Sequence, residues 1–175
     1  QEQQNIKLLL VGNVIEEDYY NKFSDALEKS PARDHIIPVD FFAHKYMGEF
    51  LRKTVDIAVL ATLQEGCSNF VLEAVACEKP TILTNVGNAS DVKSKSVIVI
   101  PPDYDNICEE SIESLVQKAS QKKGRNTQML ANAFFQAVRN LDAMRQSAQI
   151  TETQRNELGT WKMVESYLAL LKEIS

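Results

Sequence analysis

Two hydrophobic periods run along the chain, and the switch between them divides it. Residues 6–13, IKLLLVGN, form an unbroken apolar run that stops at Gly12-Asn13, the pattern of a strand covered on both faces. Residues 16–30 place Tyr19, Phe23, Ala26 and Leu27 at helical spacing. HIIPVDFF (35–42) reads as a strand, and Pro38, which cannot donate a ladder hydrogen bond, assigns it an edge. A short helix over 46–54, a buried strand over 56–62 (DIAVLAT) and a helix over 68–79 follow. PTILTNV (80–86) and SVIVIPP (96–102) are two further strands.

Beyond residue 105 only the helical period remains. EESIESLVQKAS carries Ile112, Leu115, Val116 and Ala119 on one stripe, MLANAFFQAVRNLDAM carries Leu130, Phe134, Val138 and Leu141, and TWKMVESYLALLKEI carries Trp161, Val164, Tyr167, Leu168 and Leu171. Gly124 and Gly159 punctuate between them. Strands alternating with helices predict an α/β, Rossmann-like fold: a mostly parallel sheet with helices on both faces, plus C-terminal helices. The expected organisation is one domain over 1–175, an alternating core to residue 105 and a helical part over 106–175. In such sheets ligands bind outside the carboxyl ends of the strands. The loops beginning at Gly12, Phe41, Thr62 and Asn85 therefore form the expected functional edge, and Glu65 lies on it.

Composition narrows the function classes. The 175 residues are 44% hydrophobic and 25% charged, the balance of a globular domain with room for a core. A net charge of −5 argues against general nucleic-acid binding, which needs a basic face. The apolar run at 56–62 is too short to span a bilayer, and QEQQNIK lacks the basic-then-apolar pattern of a signal peptide. Cys67, Cys77 and Cys108 form no C-x-x-C pair, so neither a disulfide framework nor a zinc site is expected, and a reducing cytoplasm is the simplest setting. Asn88-Ala89-Ser90 matches a glycosylation triplet, read as chance without a secretory signal.

The candidate chemistry sits in EGCSNFVLEAVACEKP (65–80). Glu65 precedes a helix start, Glu73 lies inside the helix, and the small residues Gly66, Cys67 and Ser68 lie between. The ordinary reading is acids favoured by the helix dipole, worth about 0.3–1 kcal/mol each. The chemical reading is an anion at the helix start, with carboxylates accepting hydrogen bonds from a hydroxyl-rich ligand. Cys67 has no partner base in the sequence, and His35 and His44 flank a strand at no meaningful spacing. Phe41 and Phe42 read as core before they read as base contacts.

Residues 56–87 together resemble the donor-binding core of glycosyltransferase family four, retaining enzymes of the two-domain GT-B fold. The resemblance rests on Glu65-Gly66, on Glu73-Ala74 at the E-x7-E separation, on Lys79-Pro80 opening the next strand and on Val86-Gly87 closing it. Weaker similarity covers 6–102, and 161–174 looks like the family's closing helix. The resemblance implies a nucleotide-diphosphate sugar as substrate, with no metal and no other cofactor. Glu73 would take the ribose hydroxyls and Glu65, the catalytic position, those of the transferred sugar. Gly66, Cys67, Ser68 and Asn69 would line the diphosphate, with Gly12 and Thr62 at the same mouth.

The chain departs from the family pattern in four places. Glu78 stands where Gly is usual, and the loop GNASDVKSKS (87–96) is short and poor in glycine, its Lys93 and Lys95 reading as solvated. Residues 1–5 hold no Gly-Arg…Lys segment, and its expected absence would leave a gap or an unpaired edge in the sheet. The acceptor-binding domain is expected to be missing, so the chain would bind donor and leave catalysis to a larger enzyme or a partner subunit. Membrane association would be peripheral at most, through the full enzyme. The competing reading is a non-catalytic interaction or regulatory domain that keeps the half-fold. A sugar-nucleotide epimerase would need acid and base residues that are not found.

Overall fold

The computed structural model describes residues 6–12, 17–40, 43–63, 65–92, 94–102 and 125–157, with positions 159, 162, 164–165 and 168–169. The helix expected over 109–120, most of the closing helix, Phe41, Phe42, Lys93 and Cys108 lie outside the described residues. The chain divides into two compact units, Gln1–Met47 and Gly48–Ser175.

The first unit contains β1 (Leu8–Val11), α1 (Glu17–Glu28) and β2 (Ile36–Val39), with 3₁₀ turns at Arg33–His35 and His44–Tyr46. β1 and β2 pair in parallel, Leu8 opposite Ile36 and Val11 opposite Val39. The Gly12 N–H extends the ladder to the Val39 carbonyl at 3.1 Å. Lys7 Nζ donates to the Asp34 carbonyl, and the His35 ring meets the Ile6 carbonyl, both at 2.9 Å, so side chains fasten the open end. Pro38 sits opposite Leu10 in β2, which among the described residues pairs with β1 alone. The expectation that β1 is covered on both faces fails. Leu8, Leu9 and Leu10 are half-buried, Val11 is exposed, and none of the residues of this unit whose burial is described is buried. A two-stranded sheet presents too few neighbouring side chains to enclose either face.

The second unit carries α2 (Met47–Thr54, its first residue shared with the boundary), β3 (Ala58–Leu60), α3 (Asn69–Ala76), β4 (Thr81–Thr84) and β5 (Val97–Ile100). After these come α4 (Arg125–Arg139), α5 (Leu141–Ala148) and α6 (Glu152–Glu157). The strands run in parallel in the order β3–β4–β5, with Ala58 opposite Thr81 and Thr81 opposite Val97. All four residues of β4 are buried. Successive side chains of a strand point to opposite faces, and β4 shows the consequence. Ile82 packs with Ile100, Ala133, Ala137 and Met144, beneath α4 and α5. Leu83 packs with Val71 of α3 and Ala89. Helices therefore cover both faces of a parallel sheet, the α/β class expected from the pattern, and the alanines of α4 let that helix approach closely.

Two helical expectations change. The pattern over 129–144 reads as one helix, but it breaks at Asn140, whose amide Nδ2 and backbone N–H both donate to the Gln136 carbonyl (2.9 and 3.1 Å). α6 was not expected at all, since ETQRNE has no apolar stripe and buries nothing. A capping box holds its start: Gln154 Oε1 accepts from the Thr151 N–H at 2.9 Å, and Thr151 Oγ1 accepts from the Gln154 N–H at 3.2 Å.

Candidate functional site

The carboxyl edge of the three-stranded sheet carries the predicted chemistry. After β3 the chain passes Thr62 and Leu63 to the loop at Glu65–Ser68, which leads directly into α3. After β4 it turns at Asn85–Gly87, where the Asn85 N–H holds the turn to the Ile100 carbonyl at 2.7 Å. Gly87 adopts φ +56° and presses on the loop. A Cβ there would lie 2.7 Å from the Glu65 carbonyl oxygen and would also collide with that of Gly66. Only glycine allows this backbone conformation and this approach together.

Asn88 then ties down three successive residues of the loop. Its backbone N–H donates to the Gly66 carbonyl (3.1 Å), its Oδ1 accepts from the Ser68 N–H (3.1 Å), and its Nδ2 approaches Cys67 Sγ at 3.3 Å. An amide engaged in this way is a structural brace. Sequence reasoning missed the role because 20 residues separate Asn88 from Ser68. The available signal was its position directly after the Val86-Gly87 turn.

Ser68 is the N-cap residue of α3 and is 6% exposed, yet its hydroxyl caps no N–H. The N–H groups of the first helical turn are thus left to solvent or to a ligand. Glu65 is half-buried, Gly66, Cys67 and Asn69 are exposed, and Glu73 is half-buried in the second turn of α3. Thr62 is half-buried where the chain leaves β3. These seven residues occupy one stretch of the second unit, whereas Gly12 lies in the first unit at the end of β1. His35, His44 and Lys95 are exposed. Thr84 ends β4 with its Oγ1 buried and unpaired. By strand alternation it faces the side of Ile82, away from α3.

The substitution at 78 has a structural explanation. Glu78 is left-handed, φ +58°. It closes α3 as a Schellman motif: its N–H reaches the Val75 carbonyl (2.9 Å), and the Lys79 N–H reaches that of Ala74 (3.0 Å). This is the position where the resembled pattern carries glycine. Glu78 Oε1 accepts from Arg155 Nη2 at 2.7 Å and from the Ile150 N–H at 3.4 Å. Its side chain therefore joins the end of α3 to α6, a link that glycine would lack.

Among the described residues, no three or more His, Cys, Asp or Glu side chains are grouped to hold a metal ion, and Cys67 and Cys77 are free thiols. Among the same residues no helix is long and apolar enough to cross a membrane.

Comparison with known proteins gives the class. The family described as "Glycosyl transferases group 1" matches residues 1–133, and the chain belongs to that family. No curated protein matches it significantly. Three solved chains match. One of them, described as "Crystal structure of GtfA/B complex", is 23% identical with a TM-score of 0.46, and the match covers 87% of this chain. The chain spans 29% of the length of that solved chain.

Proposed function

We propose that this chain is the donor-binding, C-terminal half of a retaining GT-B glycosyltransferase, which transfers a hexose or hexosamine from a nucleotide diphosphate to a glycan, lipid or polysaccharide acceptor. The observation that carries the reading is the bracing of Glu65–Ser68 by Gly87 and Asn88 at the uncapped start of α3. A loop fixed from behind by a glycine contact and an amide is preorganised, so little ordering entropy remains to oppose binding.

In this reading the diphosphate lies on the first N–H groups of α3, favoured by the helix dipole and by hydrogen bonds to backbone. The carboxylate of Glu73 accepts hydrogen bonds from the ribose diol. Glu65 orients the transferred sugar through its hydroxyls and places negative charge beside the positive charge that develops at the anomeric carbon. Gly66 and Cys67 keep bulk away from the phosphates, Asn69 adds a polar contact, and Thr62 belongs to the surrounding mouth. The helix start supplies N–H donors and partial positive charge to the diphosphate, and this reading calls for no metal. An acceptor-binding domain or subunit completes the cleft, excludes water and positions the attacking hydroxyl. The setting is the cytoplasm, with membrane contact at most peripheral through the complete enzyme.

Calorimetric titration with UDP-, GDP- and ADP-sugars tests the site. One nucleotide class binds, and Glu73→Ala weakens it roughly ten- to a hundredfold, the loss of one charge-assisted hydrogen-bond partner. Unchanged affinity in Glu73→Ala removes the donor reading, and absence of binding by either protein favours a non-catalytic domain.

A further inference from the structure

A pocket of about 400 Å³ opens at the other edge of the same sheet. Asp56 and Pro80, which precede β3 and β4, lie on its wall with Cys77, Glu78 and Lys79 at the end of α3. The length of β4, four residues and about 13 Å, separates it from the loop at Glu65–Ser68. Its charge is opposite to that of the chain. Arg52, Lys79, Arg145 and Arg155 face Asp56 and Glu78, four cations against two carboxylates, in a protein of net charge −5.

Two of the cations are neutralised within the wall. Arg145 pairs with Asp56, and Arg155 pairs with Glu78 and also caps the Ala76 carbonyl at 3.1 Å. The other two are not. Among the described residues Arg52 Nη1 meets only the Cys77 thiol at 3.6 Å, and Lys79 Nζ donates to the Arg52 carbonyl at 2.9 Å, so neither meets a carboxylate there. Helix capping takes up single hydrogen bonds and leaves charge over. Lys79 caps the Arg52 carbonyl in the last turn of α2 and Arg155 caps that of Ala76 at the end of α3, while the carbonyls of Glu73, Ala74 and Val75 are met by backbone N–H groups, so the ammonium of Lys79 keeps two further donors and, among the described residues, Arg52 caps no carbonyl.

We infer that this pocket is a second ligand site, which binds a phosphate monoester between Arg52 and Lys79. A guanidinium fork and an ammonium, supplied to one pocket by two elements, suit the oxygens of a dianion. Ala76 offers apolar surface and Gln149 an amide for the organic part of the ester. The volume falls within the range of small-molecule pockets, beyond the need of a bare anion. The site shares no residue with the donor loop and stands whether or not the donor reading does.

Amide NMR of the full chain, titrated with inorganic phosphate and with glycerol 3-phosphate at constant ionic strength, tests the inference. The amides of Arg52, Cys77, Glu78 and Lys79 shift and saturate, and the ester binds at least as tightly as phosphate. The pair Arg52→Gln with Lys79→Gln lowers affinity by about tenfold or more, and Lys79→Arg restores most of the single-site loss. The inference is overturned by no saturable shift at these amides, by equal affinity in the double variant, or by an ester that binds more weakly than phosphate. Should the double variant melt early, the separate Arg52→Gln and Lys79→Gln proteins decide, each losing severalfold in affinity. Shifts confined to Gly66–Asn69 place phosphate at the donor loop and also overturn it.

Discussion

β1 and β4 are both short apolar strands in parallel pairs, yet they end in different environments. Leu8, Leu9 and Leu10 of β1 are half-buried and Val11 is exposed, whereas every residue of β4 is buried between α3 on one face and α4 with α5 on the other. The less apolar of the two, TILT, is the better covered. Neighbours on both sides and both faces decide burial, and the hydrophobicity of a run only permits it. Cohesion is therefore concentrated in the second unit. Ile82→Ala is expected to lower global stability by about 2–5 kcal/mol in urea denaturation, the combined cost of lost transfer and a cavity. Leu9→Ala in the first unit is expected to cost about 1 kcal/mol, in line with half of the side chain being in water already. Equal costs would break the comparison. Amide exchange gives a second reading, with β4 opening only on global unfolding and β1 by local opening.

The glycines that follow the two sheets sharpen the contrast. A Cβ at Gly12, after β1, meets nothing within 4 Å, while one at Gly87, after β4, collides with the Glu65–Gly66 backbone. Gly87→Ala therefore combines a left-handed backbone penalty with displacement of the loop, about 1–3 kcal/mol in all. It is expected to shift the amides of Gly66, Cys67 and Ser68 and to weaken nucleotide-sugar binding. Gly12→Ala carries the backbone penalty alone, leaves those amides in place and costs less in the same denaturation.

A smaller effect belongs to the brace. Asn88→Ala leaves the buried Ser68 N–H without its acceptor and is expected to cost about 1 kcal/mol, with the Ser68 amide shifting most. Asn88→Asp keeps an acceptor at that place and loses only the weak approach to Cys67 Sγ, so its Ser68 amide stays near the native position.

The strands and first helices were legible because each carries a continuous apolar run or a helical stripe closed by Gly, Asn or Lys-Pro. The loop at 65–68 was legible for the same local reason, small residues between two glutamates ahead of a helix. What stayed hidden depends on contacts far apart in sequence. Asn88 acts on residues some 20 positions earlier, and its place after the Val86-Gly87 turn marks the position but not those partners. The break at Asn140 was hidden because Val138 and Leu141 keep helical spacing across it. α6 was legible in principle through Thr151-x-x-Gln154, but with no apolar stripe a reading based on hydrophobic period passes over it.

Glu78 is the finest test of how the second unit is held, because two opposing terms meet at one residue. Its left-handed backbone costs about 1–2 kcal/mol relative to an ordinary helical or extended conformation, a cost glycine avoids. Its carboxylate regains part of this through Arg155, an exposed pair worth about 0.2–1 kcal/mol, and through the longer bond from the Ile150 N–H. Glu78→Ala keeps the strain and loses the pair, so it is destabilised. Glu78→Gly loses the pair and the strain together. It is expected to exceed the alanine variant by about 1 kcal/mol and to lie close to the native protein. Raising the salt concentration screens the ion pair and moves that balance further toward glycine. In both variants Arg155 no longer has its carboxylate, so the pocket beside it gains positive charge and phosphate affinity rises. A glycine variant no more stable than alanine would show that the carboxylate, and not the backbone, governs this turn.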